Sequence, residues 1–340
     1  MIRPIMGLCL CLGLASAGLA GEFSSSAKAM TTANFLEIGA GARAMALGEA
    51  YTALAQGAEA LYWNPAGLRG APMSATLMHA TYLDSSFFDY ASYARNLGAA
   101  GAMGLGVQYF SAGRFPGTDA SGADIGSFTP NDLALTLGAA YRPALLGGAS
   151  LGMGLKYVRS HIVTDAQTAA ADLGLMSPVY LGQRLRLAAA VKNLGGAMKF
   201  DSAREPLPLA LKLGSAYQIT QRWLAALDAS LPRGNGPSLG AGTEYRWPVQ
   251  DWVVLAGRAG YNTRTAADVA GLSGLSLGFG LGFPRLDVDY GFGLFGDLGL
   301  VHRLSLSYRM GPSRSKVPKE KGHDPGSDCS PFLLWSCGYQ

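Results

Sequence analysis

The strongest regularity in the chain is a strict alternation of large apolar and small residues. Leu275, Leu277, Phe279, Leu281 and Phe283 are separated by Ser276, Gly278, Gly280 and Gly282. The next segment sets Leu286, Val288, Tyr290, Phe292 and Leu294 against Asp287, Asp289, Gly291 and Gly293. Met103 to Tyr109, Leu133 to Tyr141 and Leu151 to Tyr157 repeat the pattern. Successive strand side chains point to opposite faces, so a spacing of two predicts strands. The second face decides the environment. In a soluble sandwich it would be solvated and rich in large charged residues. Here it is Gly, Ala and Ser with isolated charges, which fits a crowded barrel interior and a lipid-facing exterior.

The pattern predicts strands near 73–82, 87–97, 100–111, 131–142, 147–160, 168–179, 183–193, 208–218, 221–231, 237–247, 250–262, 273–283, 285–294 and 301–310. Fourteen is an even number, as single-chain bacterial barrels require. Connections after even-numbered strands are tight, as at Gly98–Ala99 and Pro248–Gln250, while those after odd-numbered strands include Ser111 to Pro130 and Leu194 to Leu207. Short periplasmic turns alternating with longer external loops are an outer-membrane signature. Tyr109, Tyr157 and Tyr261 fall toward one end of the strands, and Tyr141, Tyr217, Trp223 and Tyr308 toward the other. Two aromatic girdles at the lipid headgroups are the natural reading.

Composition agrees. Of 340 residues, 47 are Gly, 49% are hydrophobic and only 15% are charged, against about 25% charged in a soluble domain. No later segment is an apolar run of helix-spanning length. In lipid every backbone polar group must be paired internally, which leaves a closed β-barrel. Arg3, the apolar run Ile5 to Leu14 and the small residues to Ala20 read as a secretory signal (residues 1–20). A net charge of +4 without a dense Lys/Arg patch gives no support to nucleic-acid binding.

Residues 21–72 lack the alternation. Arg43 to Ala55 is predicted as a short Ala-rich helix, and Asn64-Pro65-Ala66-Gly67 as a turn, because proline cannot continue a helix interior. A compact helical stretch ahead of a barrel (73–310) is expected to lie in the lumen as a hatch.

The stretch Gly41 to Leu68 resembles the hatch of FadL-like outer-membrane proteins, with their Asn-Pro-Ala motif at Asn64, Pro65 and Ala66. Val191 to Phe200, Glu205 to Tyr217, Leu224 to Leu231 and the closing strand Val301 to Met310 resemble the PorV/PorQ branch. The resemblance implies a fourteen-stranded barrel with an internal hatch and both termini periplasmic. FadL-like members move hydrophobic compounds across the outer membrane. PorV of type IX secretion instead receives secreted cargo as a protein partner. The chain departs from the usual pattern in its tail, residues 311–340. A Pro/Ser/Lys/Gly-rich linker leads to Cys329 and Cys337, the cysteines left after signal removal, which are expected to form a disulfide around Phe332 to Trp335. A docking knob or plug is one reading of that loop; a frayed end whose cysteines merely oxidise is the other.

Enzymatic chemistry finds little footing. Ser150, Ser238 and Ser276 each match G-x-S-x-G, but a nucleophile elbow needs a strand-to-helix turn. The four histidines are scattered, glycine runs are not followed by helices, and no cofactor or metal is expected. Asp119 and Asp124 read as solvated loop acids. The inward register is more informative. Lys156, Arg184, Arg186, Lys192, Lys212, Asp228, Glu244, Arg246 and Arg258 are expected to face the lumen, with Asp287, Asp289, Arg303 and Arg309. Facing lipid, each Arg or Lys would cost about 2–4 kcal/mol at the midplane. Their expected role is to staple strands and hatch together; lining a polar path is the alternative. The leading expectation is a non-catalytic, PorV/PorQ-like partner in secretion or envelope assembly. A FadL-like uptake channel for hydrophobic small molecules is the second.

Overall fold

The computed structural model describes residues 31–82, 85–200, 203–266, 273–294 and 300–310. The signal segment and the tail with Cys329 and Cys337 lie outside the described residues.

In chain order the strands are β1 (Met73–Thr81), β2 (Phe87–Asn96), β3 (Ala102–Ser111), β4 (Phe115–Thr118), β5 (Asp124–Phe128), β6 (Asn131–Tyr141), β7 (Ser150–His161), β8 (Asp165–Met176) and β9 (Leu185–Gly195). There follow β10 (Ala197–Phe200), β11 (Ala203–Pro206), β12 (Ala210–Gln218), β13 (Trp223–Pro232), β14 (Ser238–Gln250), β15 (Val253–Asn262), β16 (Leu275–Gly282), β17 (Leu286–Leu294) and β18 (Leu300–Arg309). Fourteen of them close an antiparallel barrel in which β1 pairs with both β2 and β18. The other four form two ribbons, β4–β5 and β10–β11, inside the two longest loops.

The apolar face points outward. Leu77, Leu137, Leu155 and Phe279 are each more than half exposed. Cross-strand register keeps such residues together: Leu137 lies opposite Leu155, and Leu77 opposite Leu306. One-residue slips would turn these side chains into the lumen, so the burial difference fixes the register. No described helix is long and apolar enough to cross a membrane.

On β9 alternation breaks in a way the sequence did not announce. Ala188, Ala190 and Lys192 face inward, but Asn193 is buried as well and Leu194 is exposed. Lys192 and Asn193 lie in the gap left by a register shift between Ala171 and Leu173 of β8. This is a β-bulge, with Asn193 at φ +58°. Strand β8 also starts three residues before its expected position and ends at Met176, ahead of Ser177-Pro178.

The helix expected over Arg43 to Ala55 is shorter. It spans Ala42–Ala46 and stops where Gly48 and Glu49 take positive φ. A 3-10 turn Gly57–Glu59, a helix Ala60–Trp63 and a 3-10 stretch Pro65–Gly70 follow. Buried Tyr51, Tyr62 and Trp63 pack edge to face, with centroids 5.8 and 5.0 Å apart for the two pairs that include Trp63. The Trp63 indole N–H donates to the Ala40 carbonyl at 2.8 Å. The hatch therefore has an aromatic core of its own.

The candidate site: a lumen filled and pinned by its own N-terminal segment

The hatch runs the length of the lumen. Thr32 N–H donates to the Pro206 carbonyl in the β10–β11 ribbon, at the long-loop end. The helix Ala42–Ala46 lies against β15 to β18. Arg69 donates to the Gly98 carbonyl in the short β2–β3 turn, at the opposite end, just before β1. Chain length and topology thus place residues 34–70 between the barrel's two mouths.

The inner glycines are explained by this path. A Cβ on Gly242 would stand 2.6 Å from the Leu47 Cα, and one on Gly278 would stand 2.5 Å from the Ala46 Cβ. Gly152 and Gly174 admit the Asn64-Pro65-Ala66 segment in the same way. Any larger side chain there would overlap the hatch. Asn64 itself is fully buried. Its Oδ1 accepts from Ala66 N–H at 3.1 Å, and its amide donates to the carbonyls of Leu175 at 3.1 Å and Thr52 at 3.3 Å. Pro65 opens the following 3-10 stretch, while Ala66 and Gly67 are buried within it. The motif is thus a plug-to-wall joint.

Three charged clusters fasten the rest. At the first, the fully buried Glu244 accepts from Arg43 of the hatch, Arg258 at 2.6 Å and Arg246 at 2.6 Å; Arg258 also reaches Asp289 at 2.7 Å. At the second, Lys156 pairs with Asp172 at 2.7 Å and donates to Asn193 Oδ1 at 2.7 Å. Lys192 lies over the Tyr62 ring at 3.6 Å and donates to the Tyr62 carbonyl. At the third, hatch residue Glu49 pairs with Arg264 at 2.9 Å and lies 3.8 Å from Arg303, which donates to the Tyr82 hydroxyl at 2.8 Å. Asp228 accepts from the backbone N–H groups of Tyr51 and Thr52 at 3.1 and 2.8 Å. Asp287 pairs with Arg309.

Burial pushes the Glu59 carboxyl up, only partly opposed by the hydrogen bond it accepts from the Tyr51 hydroxyl. Glu49 moves the other way: burial acts to raise it, and the Arg264 and Arg303 guanidiniums outweigh that and lower it.

Arg184 is not a lumenal charge. It is exposed in the turn before β9, because that strand begins at Leu185, two residues later than expected. Arg186, one step inside the strand, is buried. Arg43, Glu49, Asp172 and Asn193 were missed. Asp172 was legible, since it sits between outward Ala171 and Leu173 on a strand of correct parity. Arg43 and Glu49 fall in the non-alternating segment, where no register exists to assign a face. Ser276 Oγ accepts from the Gly48 N–H at 3.2 Å, which ties that serine to the hatch. Asp119 Oδ1 accepts from the Ser121 and Ala123 N–H groups and so closes its own turn between β4 and β5. No group of three or more metal-ligating side chains occurs among the described residues.

A cavity of about 30 Å³ lies at the long-loop end, bordered by Leu36, Glu37, Glu49, Tyr62, Lys212 and Arg264. That holds a water or two. The Lys212 ammonium stands 5.0 Å from the centre of the Trp63 ring.

No protein-family model matches the chain, and no curated protein matches it. Solved structures do. The Ralstonia pickettii toluene transporter TbuX superposes with a TM-score of 0.53 at 14% identity, over 80% of this chain and 99% of that one. The Pseudomonas putida toluene transporter TodX gives 0.52 at 15% identity, over 79% and 96%. The monoaromatic hydrocarbon channel CymD gives 0.53 at 15% identity, over 80% and 98%. At these identities the likeness is one of fold: the barrel resembles FadL-type outer-membrane channels.

Proposed function

We propose that the chain is a non-catalytic outer-membrane channel for small hydrophobic compounds, with residues 31–72 as its movable barrier. The observation that carries this reading is the hatch threaded through a fourteen-stranded barrel, in a fold shared with channels whose names state toluene or monoaromatic hydrocarbon as cargo. The outward apolar face needs a bilayer, and the long loops mark the external side by the outer-membrane rule. In the observed state the barrier is closed, so passage requires the hatch to shift against the wall. The contacts holding it combine discrete polar pairs with a buried apolar cluster that hatch and wall share, so release must loosen both.

A second reading keeps the PorV/PorQ-like role in protein secretion. It is favoured by a lumen occupied by the hatch and by the β4–β5 ribbon, which presents Phe115, Ile125 and Phe128 exposed at the long-loop end.

Initial uptake of labelled toluene by cells lacking other channels of this type separates the two. A severalfold rise on expression of the chain supports the channel. Unchanged uptake together with stoichiometric co-purification of envelope proteins supports the partner role and overturns the channel.

A further inference from the structure

The short-turn rim of the barrel is strongly basic, and the basicity runs all the way round. Arg222, in the turn after β12, is exposed, and its carbonyl accepts from the Arg246 N–H at 2.9 Å on β14. Arg285, exposed between β16 and β17, is joined in the same way to Arg309 at 2.8 Å. Arg95 is exposed near the end of β2, opposite Met73 of β1. Arg142 is exposed after β6, and the backbone carbonyl of the exposed Arg184 before β9 accepts from the Gln218 N–H of β12 at 2.8 Å. These backbone links and strand pairings carry the arginines from hairpin to hairpin until the ring closes.

Acids do not balance it. Among the described residues at this end only Asp251 and Asp287 are acidic, and Asp287 is already paired with Arg309. The other rim holds Asp89, Asp119, Asp124, Asp132, Asp165 and Glu205 among its own cations. The tail does not offer the missing charge either. Residues 311–340 contain Arg314, Lys316, Lys319 and Lys321 against Glu320, Asp324 and Asp328.

A second observation belongs to the same band. Trp223, Trp247 and Trp252, exposed by 44%, 50% and 57%, all lie on this rim, with Tyr141, Tyr217 and Tyr308. Trp252 stacks on Phe283, and Tyr245 packs on Trp247. Indole rings at this position mark the headgroup level of a bilayer. Guanidinium groups bind phosphate through two parallel N–H donors. The three tryptophans sit on β13, on β14 and in the turn before β15, and Tyr141 on β6 and Tyr308 on β18 carry the aromatic band further round. The arginines themselves are spread round the circumference instead of gathered on one side, which fits the lipid that surrounds a barrel better than a protein docked against one flank.

We propose that this rim binds the phosphate groups of anionic phospholipid in the periplasmic leaflet, with Arg95, Arg222 and Arg285 as principal contacts. The inference depends on membrane placement and not on what crosses the lumen.

Native mass spectrometry of the full chain released from detergent tests it, with dioleoyl phosphatidylglycerol and dioleoyl phosphatidylcholine as matched probes. Phosphatidylglycerol is expected to be retained in preference, and the preference to fall as salt rises during equilibration. Each arginine near an anionic surface contributes a factor of about five. The R95Q/R222Q/R285Q variant is therefore expected to lose about a hundredfold in phosphatidylglycerol affinity by this estimate, with phosphatidylcholine binding unchanged. The latter also reports that the variant has folded. Equal retention of the two lipids by the unaltered protein, or an undiminished preference in the variant, overturns the proposal. So does binding of polyglutamate through the same arginines without lipid preference, which would assign the rim to an acidic protein. Should the variant fail to fold, the salt dependence of the unaltered protein's preference decides alone.

Discussion

Arg43 of the hatch and Glu244 of β14 meet at two points: Nε donates to Oε2 at 2.7 Å, and the second guanidinium nitrogen to Oε1 at 3.0 Å. The carboxylate is wholly buried and is shared with Arg246 and Arg258. Replacing it by an amide removes the buried charge that Arg43, Arg246 and Arg258 share, although Arg258 keeps Asp289 at 2.7 Å. Glu244→Gln is expected to destabilise by about 3–5 kcal/mol, the usual cost of removing one partner of a buried pair. The shift in the thermal midpoint of heat-modifiable gel mobility reads this directly. An effect below about 1 kcal/mol would place the pair among surface-like contacts.

The inner glycines give a matched comparison. Gly242→Ala sets a methyl 2.6 Å from the Leu47 Cα, whereas a methyl on Gly154 meets nothing nearer than 3.5 Å. Overpacking of this kind costs about 1–3 kcal/mol. Gly242→Ala should lower the unfolding midpoint and raise protease access to the hatch, while Gly154→Ala should behave as the parent. Both are read by limited proteolysis in detergent.

Asn193 serves two ends at once. Its backbone is left-handed at φ +58°, and its side chain accepts from Lys156 and donates to the Pro208 carbonyl at 3.0 Å. Asn193→Gly keeps the backbone freedom and loses the side-chain bonds, at an expected cost of about 1–3 kcal/mol. Asn193→Ala adds about 1–2 kcal/mol for the left-handed conformation. Guanidinium unfolding of the two variants should therefore rank alanine below glycine.

Glu59 makes stability depend on pH. Burial raises its carboxyl above the ordinary value, so the folded protein takes up a proton more readily than the unfolded chain. The carboxylate thus costs stability at neutral pH, and that cost is relieved as the pH falls through the raised value. Glu59→Gln is expected to raise the thermal midpoint at pH 7–8 and to shrink the gain on acidification. A midpoint that falls equally at every pH would show that the negative charge itself is needed.

How much of this was written in the sequence differs between wall and plug. Alternation located all fourteen barrel strands, because lipid outside and a crowded interior impose opposite demands on adjacent residues. The inward placement of Lys156, Arg258, Asp287 and Asp289 followed from parity alone. Parity failed at Lys192–Asn193, where the bulge puts two neighbours on one face, and at Arg184, where the strand had not yet begun. Within the hatch there was no period to use. Arg43 and Glu49 owe their importance to partners about two hundred residues away, at Glu244 and Arg264. The Asn-Pro-Ala-Gly stretch was legible as a turn, but its fit against Gly152 and Gly174 required the folded wall.

Single-channel recording in planar bilayers bears most directly on the filled lumen. The intact chain should insert without a steady open-pore current, and Glu244→Gln should show frequent transient openings as the hatch loosens. A stable, porin-sized conductance from the unaltered protein would contradict the account, because residues 34–70 could not then occupy the barrel as described.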